Sequence, residues 1–265
     1  FLSLNYIPAP LTIFRGIKSL LPGHMLIFSK GNSRLVEYWD IPIQNDARRV
    51  EKRDENYYVD LLRERLKETV RKHLQSDVPI GVFLSGGLDS ITVAVLASLA
   101  SGENINTFSI GFHEESYNEL PFAEIVSRHI NSNHWTWLVE PNEIKNDIFR
   151  IMAYFDQPFG DSSSIAVYYM SRLAMEHNVK VVLTGDGGDE IFAGYETYLV
   201  DKYLPYYLKL PAFLRYRIAR YVENLQISDK KMSLEYKLKR FVKGAVEDPR
   251  KAHLSWRIIF NEDEK

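Results

Sequence analysis

From Ile80 onward one unit repeats along the chain: a short apolar run, a loop, then a stretch of helical periodicity. Ile80-Gly81-Val82-Phe83-Leu84, Thr107 to Phe112, His134 to Val139 and Lys180 to Thr184 read as strands. Between them lie a Val-, Ala- and Leu-rich helix after Ser90, a helix from Leu120 to Ile130, one from about Asn142 to Phe155, and one from Ser162 to His177. Parallel strands need crossovers of a dozen or more residues, which these helices supply. The alternation predicts an α/β fold: a parallel sheet of the five-stranded type with helices on both faces. After Gly187 the pattern is helical to the end, with breaks expected near Pro205, Pro211 and Pro249.

Residues 1–45 read differently. Pro8, Pro10, Pro22 and Gly23 punctuate short stretches, and Met25 to Phe28 and Arg34 to Trp39 look like strands joined through Lys30-Gly31-Asn32-Ser33. A charged linker from Gln44 to Glu55 follows. Leu61, Leu62, Leu66, Val70 and Leu74 then recur at helical spacing, and Pro79 should stop that helix near Asp77. Two domains are expected, 1–45 and 54–265.

Thirty-three basic residues against 35 acidic give no basic excess, so no nucleic-acid partner is expected. No apolar run approaches the roughly 18 residues that would span a bilayer, so no membrane is expected either, and the cytoplasm is the default compartment. The absence of cysteine excludes disulfides, thiolate metal sites and a cysteine nucleophile from these residues. The histidines form no zinc-binding pair, and no G-x-S-x-G elbow is present. The first residue is not methionine, and both ends look like cuts within a longer protein.

The chemistry concentrates in two glycine loops. Ser85-Gly86-Gly87-Leu88-Asp89-Ser90 leaves an apolar strand and opens a helix. Glycines let backbone N–H groups close on a phosphate, and the helix N-terminus adds its positive dipole end. Ser85 and Ser90 offer hydroxyl donors. Asp89 fits an anion-binding loop only if a divalent cation stands between it and the phosphates. A Gly-Gly turn with Asp and Ser capping the next helix would explain a shorter fragment of this string. It is neither a Walker loop nor a dinucleotide fingerprint.

The second loop is Thr184-Gly185-Asp186-Gly187-Gly188-Asp189-Glu190, continuing through Ile191-Phe192-Ala193-Gly194-Tyr195. Its three carboxylates would repel one another without a cation. A metal bridging Asp89 and Asp189 would relieve them. Alone, the string could equally be a solvated acidic turn that caps a helix. Two such loops at the carboxyl ends of parallel strands point to a ligand site.

The first string resembles the loop of the PP-loop ATP pyrophosphatases, and the second is similar to that of the asparagine synthetase family in particular. Gly16-Ile17-Lys18-Ser19-Leu20-Leu21-Pro22-Gly23-His24, Tyr38-Trp39-Asp40 and Asp156-Gln157-Pro158-Phe159 with Asp161-Ser162-Ser163 resemble further segments of that family, in order. The resemblance implies that 1–45 is the tail of an N-terminal glutaminase domain. It implies that 54–265 is a synthetase domain truncated at its C-terminus. It further implies that Leu84 and Ile110 bracket adenine, that Thr184 and Gly185 contact the nucleotide, and that Ser85, Gly86, Gly87 and Ser90 hold pyrophosphate. Asp89 and Asp189 would hold Mg2+. Asp186 stands where many members have a glutamate important for adenylation. The implied reaction uses ATP to make asparagine from aspartate through β-aspartyl-AMP. The ammonia comes from glutamine, made by the protein's own glutaminase domain, and AMP and pyrophosphate are the products.

The family's C-terminal lysine would fall beyond Lys265, and Lys237, Lys239 and Lys243 match no motif for it, so little synthesis is expected of these residues alone. Asp161 to Ser164 reads first as a helix cap. The acceptor remains open between aspartate and another carboxylate, as in a β-lactam synthetase or an amidotransferase acting on a sugar or peptide. A nucleotide-binding module without catalysis is the rival of another class. The oligomeric state is open, a homodimer included.

Overall fold

The computed structural model describes residues 1–42, 53–226, 233–247 and 252–260. Most of the charged linker, Lys230-Lys231 and Pro249 lie outside these residues. The first strands, β1 (His24–Ser29) and β2 (Asn32–Glu37), form the expected antiparallel hairpin. Its turn is tighter than the sequence suggests, because Ser29 already pairs with Asn32. The two central residues, Lys30 and Gly31, both have positive φ (50° and 81°), the backbone that a twisted two-residue hairpin requires.

Helix α1 (Glu55–His73) opens on Asp54, whose carboxylate accepts from the Tyr57 amide at 2.9 Å. It closes at His73, a few residues before the end expected from Pro79. Then come β3 (Ile80–Phe83), α2 (Leu88–Ser101), β4 (Asn106–Phe112), α3 (Leu120–Ile130), β5 (Asn133–Val139), α4 (Pro141–Ala153), α5 (Ser163–Glu176) and β6 (Val181–Leu183). The strands form one parallel sheet in the order β5-β4-β3-β6. Among the described residues it has four strands rather than five, because every regular segment after β6 is helical.

Side-chain alternation explains the two covered faces. Val82 and Leu84 point into a cluster with Val70 of α1, Ala94 and Ala97 of α2, and Ala123 of α3. Phe83 and Phe108 point the other way, against Leu173 and Ala174 of α5 and Val179. Val139, Ile151 of α4 and Tyr169 of α5 extend that second face. Gly81 makes room for the buried Phe108 ring, since a Cβ there would lie 2.6 Å from it.

Beyond the sheet, α6 (Gly188–Phe192), α7 (Glu196–Leu208), α8 (Ala212–Glu223), α9 (Leu234–Glu247) and α10 (Ala252–Arg257) follow. Leu204, Tyr207, Ala245, Ala252 and Trp256 make a separate helical core. Pro211 precedes α8 as its cap, as expected of a breaker, but Pro205 sits inside α7. Burial of Leu204 and Tyr207 on either side of Pro205 holds that helix together despite the lost N–H. The N-terminal stretch touches both parts: the Asn5 carbonyl accepts from Gly160 N–H at 2.7 Å, and the Ser3 carbonyl from Ile259 N–H at 2.9 Å.

Candidate active site

Strands β3 and β6 are hydrogen-bonded neighbours, and each runs at its carboxyl end into one of the glycine loops. Leu84 prolongs β3 by donating its N–H to the Phe108 carbonyl at 2.9 Å, and the buried Ser109 hydroxyl donates to the Leu84 carbonyl. Leu84 itself is 1% exposed and packs in the cluster with Val70, Ala94 and Ala123, so its side chain is not an open wall. Ile110, in the second half of β4 next door, is half-buried.

The first loop is tied down by its own hydroxyls. Ser90 Oγ accepts from Ser85 N–H at 3.1 Å and lies 2.8 Å from Ser85 Oγ, which in turn accepts from Gly87 N–H at 3.1 Å. Helix α2 then starts from Gly87 without a side-chain cap, which leaves its first-turn N–H groups facing the loop.

Gly185 and Gly188 bring the second loop against the first. A Cβ on Gly185 would lie 2.6 Å from the Ser90 amide nitrogen, and one on Gly188 would run into the Asp89 carboxylate. Gly187 turns the chain between them with φ of 89°. Asp189 follows at once in the first turn of α6, and a Cβ on Gly194 would strike its carboxylate. The structure therefore brings Ser85, Gly86, Gly87, Asp89, Ser90, Gly185 and Gly188 into one junction, and Asp189 is the next residue along the chain. Thr184 and Asp186 stand at its rim, exposed, with the Thr184 hydroxyl donating to the Asp186 carboxylate at 2.9 Å.

Glu190 turns to a different task from its aspartate neighbour. Its carboxylate accepts from the Tyr195 hydroxyl at 2.7 Å, and the Arg257 guanidinium lies 4.6 Å from the centre of the Tyr195 ring. The Tyr195 hydrogen bond, aided by Arg257, holds the Glu190 carboxyl below its ordinary pKa. The same bond, with burial behind it, pushes the Tyr195 phenol up to about 12. A cavity of about 860 Å³ opens here, lined among others by Asp161, Glu190, Tyr236 and Arg257. The Asp156-to-Ser163 segment and the second loop thus share a wall. The N-cap of α5 is Ser162, which makes no side-chain cap bond, while Asp161 just before it accepts from Ser163 N–H at 2.8 Å.

Among the described residues no three of His, Asp and Glu gather closely enough to hold a metal alone. Asp89 at the junction, with Asp189 the residue after Gly188, would still suit Mg2+, which usually takes one or two carboxylates and completes its shell with phosphates and water. Lys237 pairs with Glu196 at 2.6 Å. His134 is a packing residue: Thr107 Oγ1 lies 2.9 Å from its Nδ1, and burial pushes its pKa down. Sequence reasoning missed the Tyr195–Glu190–Arg257 cluster and the reach of Glu119 to Gly86 N–H at 3.1 Å. Both join residues distant in sequence or on separate elements, and no spacing rule announces them.

Residues 61–258 match the profile of the family described as Asparagine synthase. The chain belongs to that family. It is 36% identical over 218 residues to the putative asparagine synthetase [glutamine-hydrolyzing] 2 of Methanocaldococcus jannaschii, covering 81% of this chain and 41% of that protein. It is 29% identical over 219 residues to asparagine synthetase [glutamine-hydrolyzing] 1 of Bacillus subtilis, covering 81% and 33%. An amidase of Penicillium rubens, chyE, is 31% identical over 217 residues. The chain thus spans well under half the length of these family relatives. An NH3-dependent NAD synthetase from Campylobacter jejuni, solved with a nitrate ion, aligns over 73% of this chain and 95% of its own. Its TM-score is 0.37 at 16% identity, too distant a likeness to bear on function. Among the described residues no helix is long and apolar enough to cross a membrane.

Proposed function

We propose that this chain is the ATP-using part of a glutamine-dependent asparagine synthetase, in which the aspartate side chain is adenylated and ammonia then displaces AMP. The observation that carries the reading is the junction of the two glycine loops at Asp89, where Gly185 and Gly188 abut it from the end of the neighbouring strand. An anion-binding loop and a carboxylate-bearing loop in contact are what metal-assisted transfer of AMP requires.

In this reading adenine lies near Ile110 and Leu84, and Thr184 and Gly185 contact the nucleotide. Ser85, Gly86, Gly87, Ser90 and the start of α2 orient the β- and γ-phosphates by hydrogen bonds and the helix dipole. Asp89 and Asp189 would hold Mg2+, which would supply neutralisation of the charge that develops on pyrophosphate. Asp186, steered by Thr184, guides the attacking carboxylate. The acceptor acid approaches through the cavity bounded by Asp161 and Glu190. Residues 1–45 belong to the glutaminase domain that delivers ammonia, and the exposed apolar residues Leu26, Phe28, Leu35 and Trp39 suit a hairpin with further strands beside it.

The deciding experiment gives the full-length protein Mg-ATP, aspartate and ammonia and identifies the products. Aspartate-dependent AMP and pyrophosphate are expected, and Asp89→Asn should lower their rate at least about a hundredfold. ADP and phosphate would overturn the adenylating reading. AMP formed only with a different acid would move the acceptor and leave the loop roles standing.

A further inference from the structure

Glu119 precedes the first turn of α3, and its carboxylate accepts a hydrogen bond from the Gly86 amide at 3.1 Å. Gly86 belongs to the phosphate loop, and α3 is packed over it: a Cβ on Gly86 would lie 3.2 Å from Phe122 Cβ and 3.4 Å from Glu119 Cβ. An anionic side chain thus occupies an amide of the loop proposed to bind an anion. Two further loop amides, of Ser85 and Gly87, are held by Ser90 and Ser85 hydroxyls, neutral groups that can rotate toward a phosphate and donate to it. A carboxylate has no proton to donate, and a phosphate oxygen arriving at Gly86 meets both competition for one N–H and repulsion between like charges.

We propose that Glu119 is an internal competitor of pyrophosphate: it holds the Gly86 amide while the loop is empty, yields it when the β- and γ-phosphates arrive, and retakes it as pyrophosphate leaves. The inference rests on the phosphate role proposed above for the loop. The competing carboxylate sets the affinity for pyrophosphate and ATP but not for AMP, whose single phosphate does not extend to this amide. It also makes product release easier, because the vacated N–H is never left without an acceptor. Glu119 stands on the segment joining β4 to α3, so the strand that ends near Ile110 and the loop that holds the phosphates are linked through it.

Glu119→Gln separates charge from shape, since the amide oxygen can still accept from Gly86 N–H. The full-length protein and this variant are titrated by calorimetry with inorganic pyrophosphate, ATP and AMP, each with and without magnesium. The variant should bind pyrophosphate and ATP about tenfold more tightly, with the larger gain at low salt, and AMP within about twofold. Pyrophosphate release should slow by a similar factor. Unchanged or weaker pyrophosphate binding would overturn the proposal, as would an equal gain for AMP, which would mark a general loosening of the site. Failure of the unmodified protein to bind pyrophosphate would show instead that the loop reading is wrong, and the inference would fall with it. Glu119→Ala, which removes the acceptor as well, should also bind pyrophosphate more tightly.

Discussion

Gly187 and Gly188 are neighbours, yet the same methyl group should do different harm at each. At Gly188 it would collide with the Asp89 carboxylate and push the two loops apart, while at Gly187 nothing lies within 4 Å and the cost is the left-handed backbone alone. Gly188→Ala should therefore cut AMP formation by about a hundredfold or more, as a displacement near 1 Å does. Gly187→Ala should lose about 1–2 kcal/mol of stability with a smaller effect on catalysis, the cost of a left-handed L-residue. Turnover and thermal unfolding measured on both variants check this. The Tyr195–Glu190 bond makes a signed pH prediction. Glu190 has a lowered pKa, so its contribution is present above its ordinary value of 4.5 and fades as pH falls through the folded one. Tyr195 has a raised pKa, so its contribution is whole below 10.0 and is lost as pH climbs toward about 12. Tyr195→Phe should therefore unfold at a lower temperature than the parent at pH 7, with the gap narrowing toward pH 3. A gap that did not change with pH would mean that the hydrogen bond contributes nothing.

Among the elements, the strands and sheet helices were legible from their periods, and apart from α1, which stops a few residues short of Asp77, their observed ends differ from the expected ones by a residue or two. The misjudged features have identifiable causes. Pro205 was expected to break a helix, and local chemistry alone says that it should; the burial of Leu204 and Tyr207 outweighs it. The front half of α1 keeps Leu61 and Leu62 41–42% exposed although their spacing is that of a packed stripe, and the buried residue of this helix, Val70, lies near its C-terminal end. Helix α10 depends on one large side chain. Trp256 is 5% exposed and lies so close to Gly244 of α9 that a Cβ there would strike the indole nitrogen. Trp256→Ala should cost about 3–5 kcal/mol in that helical core. Hydrogen exchange should then speed up in α7, α9 and α10 ahead of β3 and β4.

Across the whole molecule, the hairpin contrasts with the sheet. Among the described residues β1 and β2 pair only with each other, and Met25, Leu26, Phe28 and Leu35 are exposed on both sides. Two strands alone are marginal in water. In the isolated 265-residue chain the amides of β1 and β2 should exchange far faster than those of β4, and they should slow in the full-length protein if residues 1–45 belong to a larger β-rich domain. Equal rates in both forms would count against that assignment. The sequence by itself determined the parallel α/β sheet and both glycine loops, because the apolar period and glycine's conformational freedom are local properties of the chain. It also pointed to Asp89 and Asp189 as partners. Only the tertiary structure decided that the loops touch at Asp89, that Glu190 is drawn to Tyr195 beneath Arg257, and that Glu119 reaches Gly86. Each of these contacts joins residues on separate elements, and the order of strands and the packing of helices over them fix such distances where no local pattern can.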